Sequence, residues 1–365
     1  MSTPSSQSGP AQQGQPPQLP PQRDGRSVAF YVAVFLSLLL VVSGALNVIL
    51  LVVSVFNSVP SGLGTGVVEE DGSRYELIAV DGDRGASASV LRIPIDGAIA
   101  EAGSPLIGAV GGTVSQVRRA LRAAVLEPTV KAVLVDINSP GGGVTDSDEI
   151  WRLIRGFRHE NPDVEVVALM GDMATSGGYY IAAACDLIIA RPTTITGSIG
   201  VIISSLNYGK TLEDWGIEAV TLTSKDTPYK DMLSPTRPML DVEKEKVLAI
   251  VQEMYDRFVE VVHMGRPDMT VEQVRALATG EIYSGSQALN NGLVDQVGSL
   301  QDAYDEIADM LGEESFRVIE HRRIPGVFDA LFAAEAEVPA MDAAVAQLLR
   351  SSTGPRFLYY WQGGR

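Results

Sequence analysis

KAVLVDINSPGGGVTDSDEI (131–150), followed by VEVVALMGDMATSGGYYIAAACDLIIA (164–190), carries the plan of this chain. KAVLVDI is a nearly unbroken apolar run of strand length. Its lack of polar alternation predicts a strand buried on both faces, as parallel sheets require. A helix from about Asp146 to Phe157 comes next, then the strand VEVVALM, a helix opening near Ser176 and the strand DLIIA. Upstream, SVLRIPI (89–95) reads as a strand and VSQVRRALRAAVLE (114–127) as an amphipathic helix. This strand–helix alternation argues for an α/β fold with a mostly parallel sheet. Farther on, residues 241–265 predict a long amphipathic helix, with shorter ones at 270–279 and 300–311. The last forty or so residues are weakly patterned and end in FLYYW (357–361).

Outside this core the composition changes. The first 26 residues are rich in Pro, Gln and Ser and predict a disordered tail. Residues 29–56 then run without a charge, roughly 42 Å if helical, enough to span a bilayer with some tilt. The span is longer than a signal-peptide core, which favours an uncleaved anchor. Arg23 and Arg26 precede it and Glu69, Glu70 and Asp71 follow, so the tail is expected in the cytoplasm and the rest outside. Residues 57–87, rich in Gly, Ser and acids, read as a juxtamembrane linker. The net charge of -17 opposes binding to nucleic acid. The single cysteine, Cys185, lies in an apolar run that suits a small buried residue, and it leaves no intrachain disulfide and no CxxC metal site.

Two segments invite chemistry. Gly141, Gly142 and Gly143 leave backbone N–H groups unshielded beside an anion or oxyanion, while Asp146, Asp148 and Glu149 just after them repel phosphate. In ATSGGYY, Ser176 sits where a strand gives way to a helix, a position that suits a nucleophile and equally an N-cap. The segment lacks the GxSxG elbow of α/β-hydrolases. His159, His263 and His321 all lie away from Gly-rich or strand-end settings, which weighs against a Ser-His-Asp triad but, triads being spatial, leaves it open; the alternative base is a lysine. To work as a base it must be neutral. Lowering its pKa from about 10.4 to about 7 costs roughly 4 to 5 kcal/mol, which demands a dry pocket. Lys230 is the candidate and Lys225 its competitor.

The segments 137–150, 173–202, 229–239 and 279–303, in that order, resemble the successive motifs of the signal peptide peptidase A family. The resemblance implies a serine peptidase with a Clp protease/crotonase-like fold of repeated β-β-α units, requiring no cofactor or metal. It implies Ser176 as nucleophile, Lys230 as base, Ser198 as the residue that orients the lysine, and Gly142 and Gly177 as the oxyanion hole, with Gly141 or Gly143 as alternatives to the first. SKDTPYKD (224–231) departs from the family, which more often has a Ser-Gly pair before the lysine. The chain then divides into a cytoplasmic tail (1–28), an anchor (29–56), a linker (57–87), a peptidase domain (88–320) and a C-terminal extension (321–365). The substrates implied are apolar peptides such as remnant signal peptides. The partners implied are the membrane and further copies in a ring whose dyads are shared between subunits. Ser176 and Lys230 are therefore not expected to hydrogen-bond within one chain. An inactive peptidase-like scaffold and a crotonase-type acyl-CoA enzyme are the competing readings.

Overall fold

The computed structural model describes residues 28–58, 67–68, 74–101, 112–324 and 356–360. It divides into two compact units, Met1–Leu63 and Gly64–Arg365. The first contains helix α1 (Val28–Ser58). Its stretch Phe30–Leu50 has a mean hydropathy of 2.5 and no buried part, so it is long and apolar enough to cross a membrane.

In the second unit, β1 (Val67–Val68), β2 (Arg74–Gly82) and β3 (Ser89–Asp96) lead into α2 (Thr113–Leu126). The quoted core follows as β4 (Val130–Ser139), β5 (Gly141–Gly143), α3 (Val144–Glu160), β6 (Glu165–Thr175), α4 (Gly177–Ala182) and β7 (Leu187–Ala190). Next come β8 (Ile195–Gly197), β9 (Ile202–Ser204), α5 (Gly209–Asp214), α6 (Asp241–Gly265) and α7 (Val271–Leu277). The unit closes with β10 (Ile282–Ser284), α8 (Gly285–Asn290), β11 (Gln296–Val297), α9 (Leu300–Leu311), β12 (Arg317–Ile324) and β13 (Arg356–Tyr360).

The main sheet runs β1-β2-β12-β3-β4-β6-β7-β11. It is parallel from β12 to β11 and antiparallel at the β1-β2-β12 edge. The apolar runs divide by residue parity. Leu91, Val133, Val135, Val166 and Ala168 join one core with α2, α3 and α6, while Val90, Ala132, Leu134, Val167 and Leu169 join another with Ala303 and Ile307 of α9. Helices on both faces are why these strands carry no polar side, and each buried Val, Leu or Ile contributes about 1.5–3 kcal/mol.

One strand lies within the segment expected as linker, and another spans the expected end of the peptidase domain. Arg74–Gly82, placed in the linker, is strand β2, paired with β12 along its length. Tyr75 there is 6% exposed and stacks on His321 at 5.1 Å. β12 also crosses the expected boundary at residue 320. The acid- and glycine-rich composition of 57–87 hid the strand because an antiparallel edge needs only one apolar face.

Candidate active site

β6 outruns its neighbour β7, and its last residues Met173–Thr175 pair instead with β8. Ser176 stands in the gap between β6 and α4, with φ 53 and ψ -113, a left-handed conformation that costs a non-glycine residue about 1–3 kcal/mol. Two hydrogen bonds hold it there. Its N–H donates to the Gly197 carbonyl at 2.7 Å, and its carbonyl accepts from Tyr180 N–H at 2.9 Å. Ser176 is 1% exposed and makes no side-chain capping bond, so the N-cap reading leaves its hydroxyl without a structural use.

The platform under this turn is polar and tightly bonded. Tyr180 donates to Asp148 at 2.6 Å, and Asp148 also accepts from Arg152 at 2.6 Å and Arg257 at 3.0 Å, which joins α4, α3 and α6. Burial acts to raise the Asp148 carboxyl, but the hydrogen bonds from Tyr180, Arg152 and Arg257 outweigh it and hold the group below the ordinary aspartate value. Tyr179, fully buried, donates to the Leu293 carbonyl at 2.8 Å, and burial pushes its phenol up to about 12.

The glycines meet at the same point. A Cβ on Gly177 would lie 2.5 Å from Ser147 Oγ and 3.2 Å from Gly142 N, so α4 begins directly against β5. A Cβ on Gly142 would overlap the Ile99 backbone. The three glycine amides differ in their partners: Gly141 N–H donates to Ser139 Oγ at 3.1 Å and Gly143 N–H to the Ile99 carbonyl at 2.9 Å. Ile99 bridges Gly142 through the carbonyl of Gly141 and the amide of Gly143, so period two turns the Gly142 amide to the opposite edge. Gly177, first in its helix, has an amide with no i-4 partner inside that helix.

Of the residues expected at the site, Ser176, Gly142, Gly177 and Ser198 come together. Ser198 follows the carbonyl that fixes Ser176, is 7% exposed and has φ 50. Lys230 does not join them. It lies on an exposed turn between β9 and α6, and no hydrogen bond links it to Ser176. Lys225 is exposed on the same turn. Among the histidines, His263 contacts the Met269 carbonyl through Nδ1 at 2.8 Å and His321 stacks on Tyr75. Cys185 is buried, and burial pushes its thiol up to about 12.

Two features had escaped the sequence reading. One is β13, which lies as the middle strand of a second sheet, antiparallel to both β5 and β9. In register, Leu358, Tyr359 and Tyr360 stand opposite Gly143, Gly142 and Gly141. The other is a cluster of Asp231, Arg237 and Glu243 beside Lys230. A five-residue strand after a weakly patterned stretch has too short a period to stand out, and the cluster assembles only when a turn folds onto α6.

Comparison with known proteins bears on this arrangement. The model of peptidase family S49 matches residues 159–313. A protein of Enterococcus faecium named as a signal peptide peptidase SppA is 35% identical over 292 residues, covering 77% of this chain and 83% of its own. The chloroplastic serine protease SPPA of Arabidopsis thaliana is 35% identical over 174 residues, 47% of this chain and 25% of its own. A solved structure of a ClpP1 mutant from Listeria monocytogenes covers 58% of this chain and 92% of its own at 15% identity, with a TM-score of 0.36. With the Enterococcus faecium relative matched across most of both chains, and a serine set on a strand–helix junction against paired glycines, this chain belongs to the SppA family of serine peptidases, peptidase family S49.

Proposed function

We propose that this chain is a membrane-anchored endopeptidase in which Ser176 is the nucleophile and Lys230 of a neighbouring copy is its general base. Neutral Lys230 takes the Ser176 proton as Oγ attacks a peptide carbonyl. The Gly142 and Gly177 amides hold the tetrahedral oxyanion, and Ser198 orients the lysine. The resulting ammonium then gives the proton to the leaving nitrogen, and the regenerated amine takes a proton from the water that attacks the acyl-enzyme and returns it to Ser176 Oγ as the acid is released.

The observation that carries this reading is the strand laid along the glycines. The chain's own residues 356–360 run antiparallel to Gly141–Gly143, past the turn that presents Ser176. A substrate in extended form would add to β5 and β9 in the same way, its backbone held by main-chain hydrogen bonds. Base sharing is supported by the exposed turn of Lys230 and by the apolar side chains Leu206, Trp215, Val220 and Leu222 on the preceding segment, all more than 70% exposed. Exposed apolar side chains of this kind suit burial against a second copy. An anchor at 29–56 with arginines before it would set the catalytic unit outside the cytoplasm, where apolar peptides such as remnant signal peptides are held at the membrane.

Purified full-length protein assayed on a peptide ester tests the reading. Wild type should turn over, whereas Ser176→Ala and Lys230→Ala should each lose about a thousandfold or more in kcat. Variants as active as wild type would end the proposal. Protease added to intact cells should reach the catalytic unit, and full protection would overturn the topology.

A further inference from the structure

The turn that carries Lys230 is fastened at one point. Arg237 donates from Nε to Asp231 Oδ2 at 2.8 Å and from its terminal nitrogens to Asp231 Oδ1 at 2.9 Å and to both Glu243 oxygens at 2.6 and 2.9 Å. Asp231 follows Lys230 in sequence, and Glu243 lies in the first turn of α6 with its side chain 0% exposed. Glu243 Oε2 also accepts from Leu240 N–H at 2.9 Å, so the buried carboxylate is bonded on both oxygens. A planar guanidinium binding two carboxylates through paired bonds fixes angle as well as distance. Arg237 thus connects the Lys230–Asp231 turn to the long helix.

The cluster also settles a charge problem. Asp231 is the sequence neighbour of Lys230, and an unpaired carboxylate close to a lysine favours the ammonium form, whereas acyl transfer needs the neutral base. Arg237 takes up the Asp231 charge in a bidentate pair. The guanidinium holds both Asp231 and Glu243 below the usual carboxylate range, so the pair persists across the working pH range. The other charged groups on this turn are Lys225 and Asp226, and from α6 Lys246 sets its ammonium 5.1 Å from the Tyr229 ring.

We propose that Arg237 is a positioning residue for the reaction, acting through Asp231 and Glu243 to hold the Lys230 turn and to neutralise the carboxylate beside that lysine. The proposal rests on the reading of Lys230 as base, and the test separates the two. Full-length wild type, Lys230→Ala, Arg237→Gln, Arg237→Lys and Asp231→Asn are assayed for kcat, KM and pH profile on a peptide ester. Arg237→Gln should lower kcat about tenfold or more, with KM within about threefold. Its rising pH limb should move upward, because an unneutralised Asp231 favours the ammonium. Asp231→Asn should move that limb downward, because it leaves the Arg237 charge uncompensated near the lysine. Arg237→Lys should recover the limb position better than kcat, since it restores charge without the planar fork. A purely structural role would not shift the two profiles in opposite directions. Should Arg237→Gln fail to assemble, the downward shift in Asp231→Asn carries the test. Wild-type kcat and pH limb in both Arg237→Gln and Asp231→Asn would overturn the proposal. An active Lys230→Ala would instead overturn the base assignment.

Discussion

Ser176 and Lys230 make no hydrogen bond within one chain: Ser176 is 1% exposed at a strand–helix junction, whereas Lys230 is on an exposed turn. The two can act together only if the lysine turn enters the site of another copy or moves in its own.

Mixing distinguishes these. Ser176→Ala and Lys230→Ala proteins should each be inactive alone, but when dissociated and reassembled together they should regain about a quarter of wild-type activity, the share of sites at which an intact serine meets an intact lysine by chance. Mixed assemblies with no activity would place the dyad within a single chain.

Removal of β13 should open the groove. A chain ended after residue 355 is expected to show a lower KM for a peptide ester with kcat little changed, because β13 no longer pairs with Gly141–Gly143. A synthetic peptide of residues 356–365, added back, should then inhibit competitively. Unaltered KM on truncation would mean that β13 does not compete with substrate.

Gly177→Ala tests how closely α4 meets β5. The added methyl meets Ser147 Oγ at 2.5 Å and should cost about 1–3 kcal/mol, with a loss of kcat as Ser176 shifts. Ser147→Ala in the same chain removes that oxygen and should recover part of the melting temperature. A double variant no more stable than Gly177→Ala would show that the strain lies elsewhere.

The Asp148 network predicts an acid limb in stability. Its folded pKa is depressed, so its contribution is fully present above the unfolded value of about 3.8 and is lost as pH falls through the folded value. Asp148→Asn should cost about 1–3 kcal/mol near neutrality and flatten the decline in melting temperature as pH falls below about 3.8. Parallel melting curves for the two proteins would remove Asp148 from the acid transition.

Cys185 should resist a thiol reagent in the folded protein, because its thiol is buried and pushed up to about 12, and react once the chain is unfolded. Rapid labelling of the native protein would contradict this burial.

The sequence by itself determined the α/β class, the run of parallel strands and the positions of Ser176 and the glycines. Those features are local: a strand buried on both faces must be apolar throughout, and an exposed backbone amide needs glycine, so each leaves a mark within a few residues. It also marked Lys230, through a motif and not through any local pattern. Only the tertiary structure decided that Arg74–Gly82 is a strand, that Gly142 and Gly177 face each other, that Arg237 ties Asp231 to Glu243, and that residues 356–360 lie along Gly141–Gly143. Each of these joins segments distant in the chain or depends on which edge of a strand faces a neighbour, and pairing across space is set by the packing of whole elements.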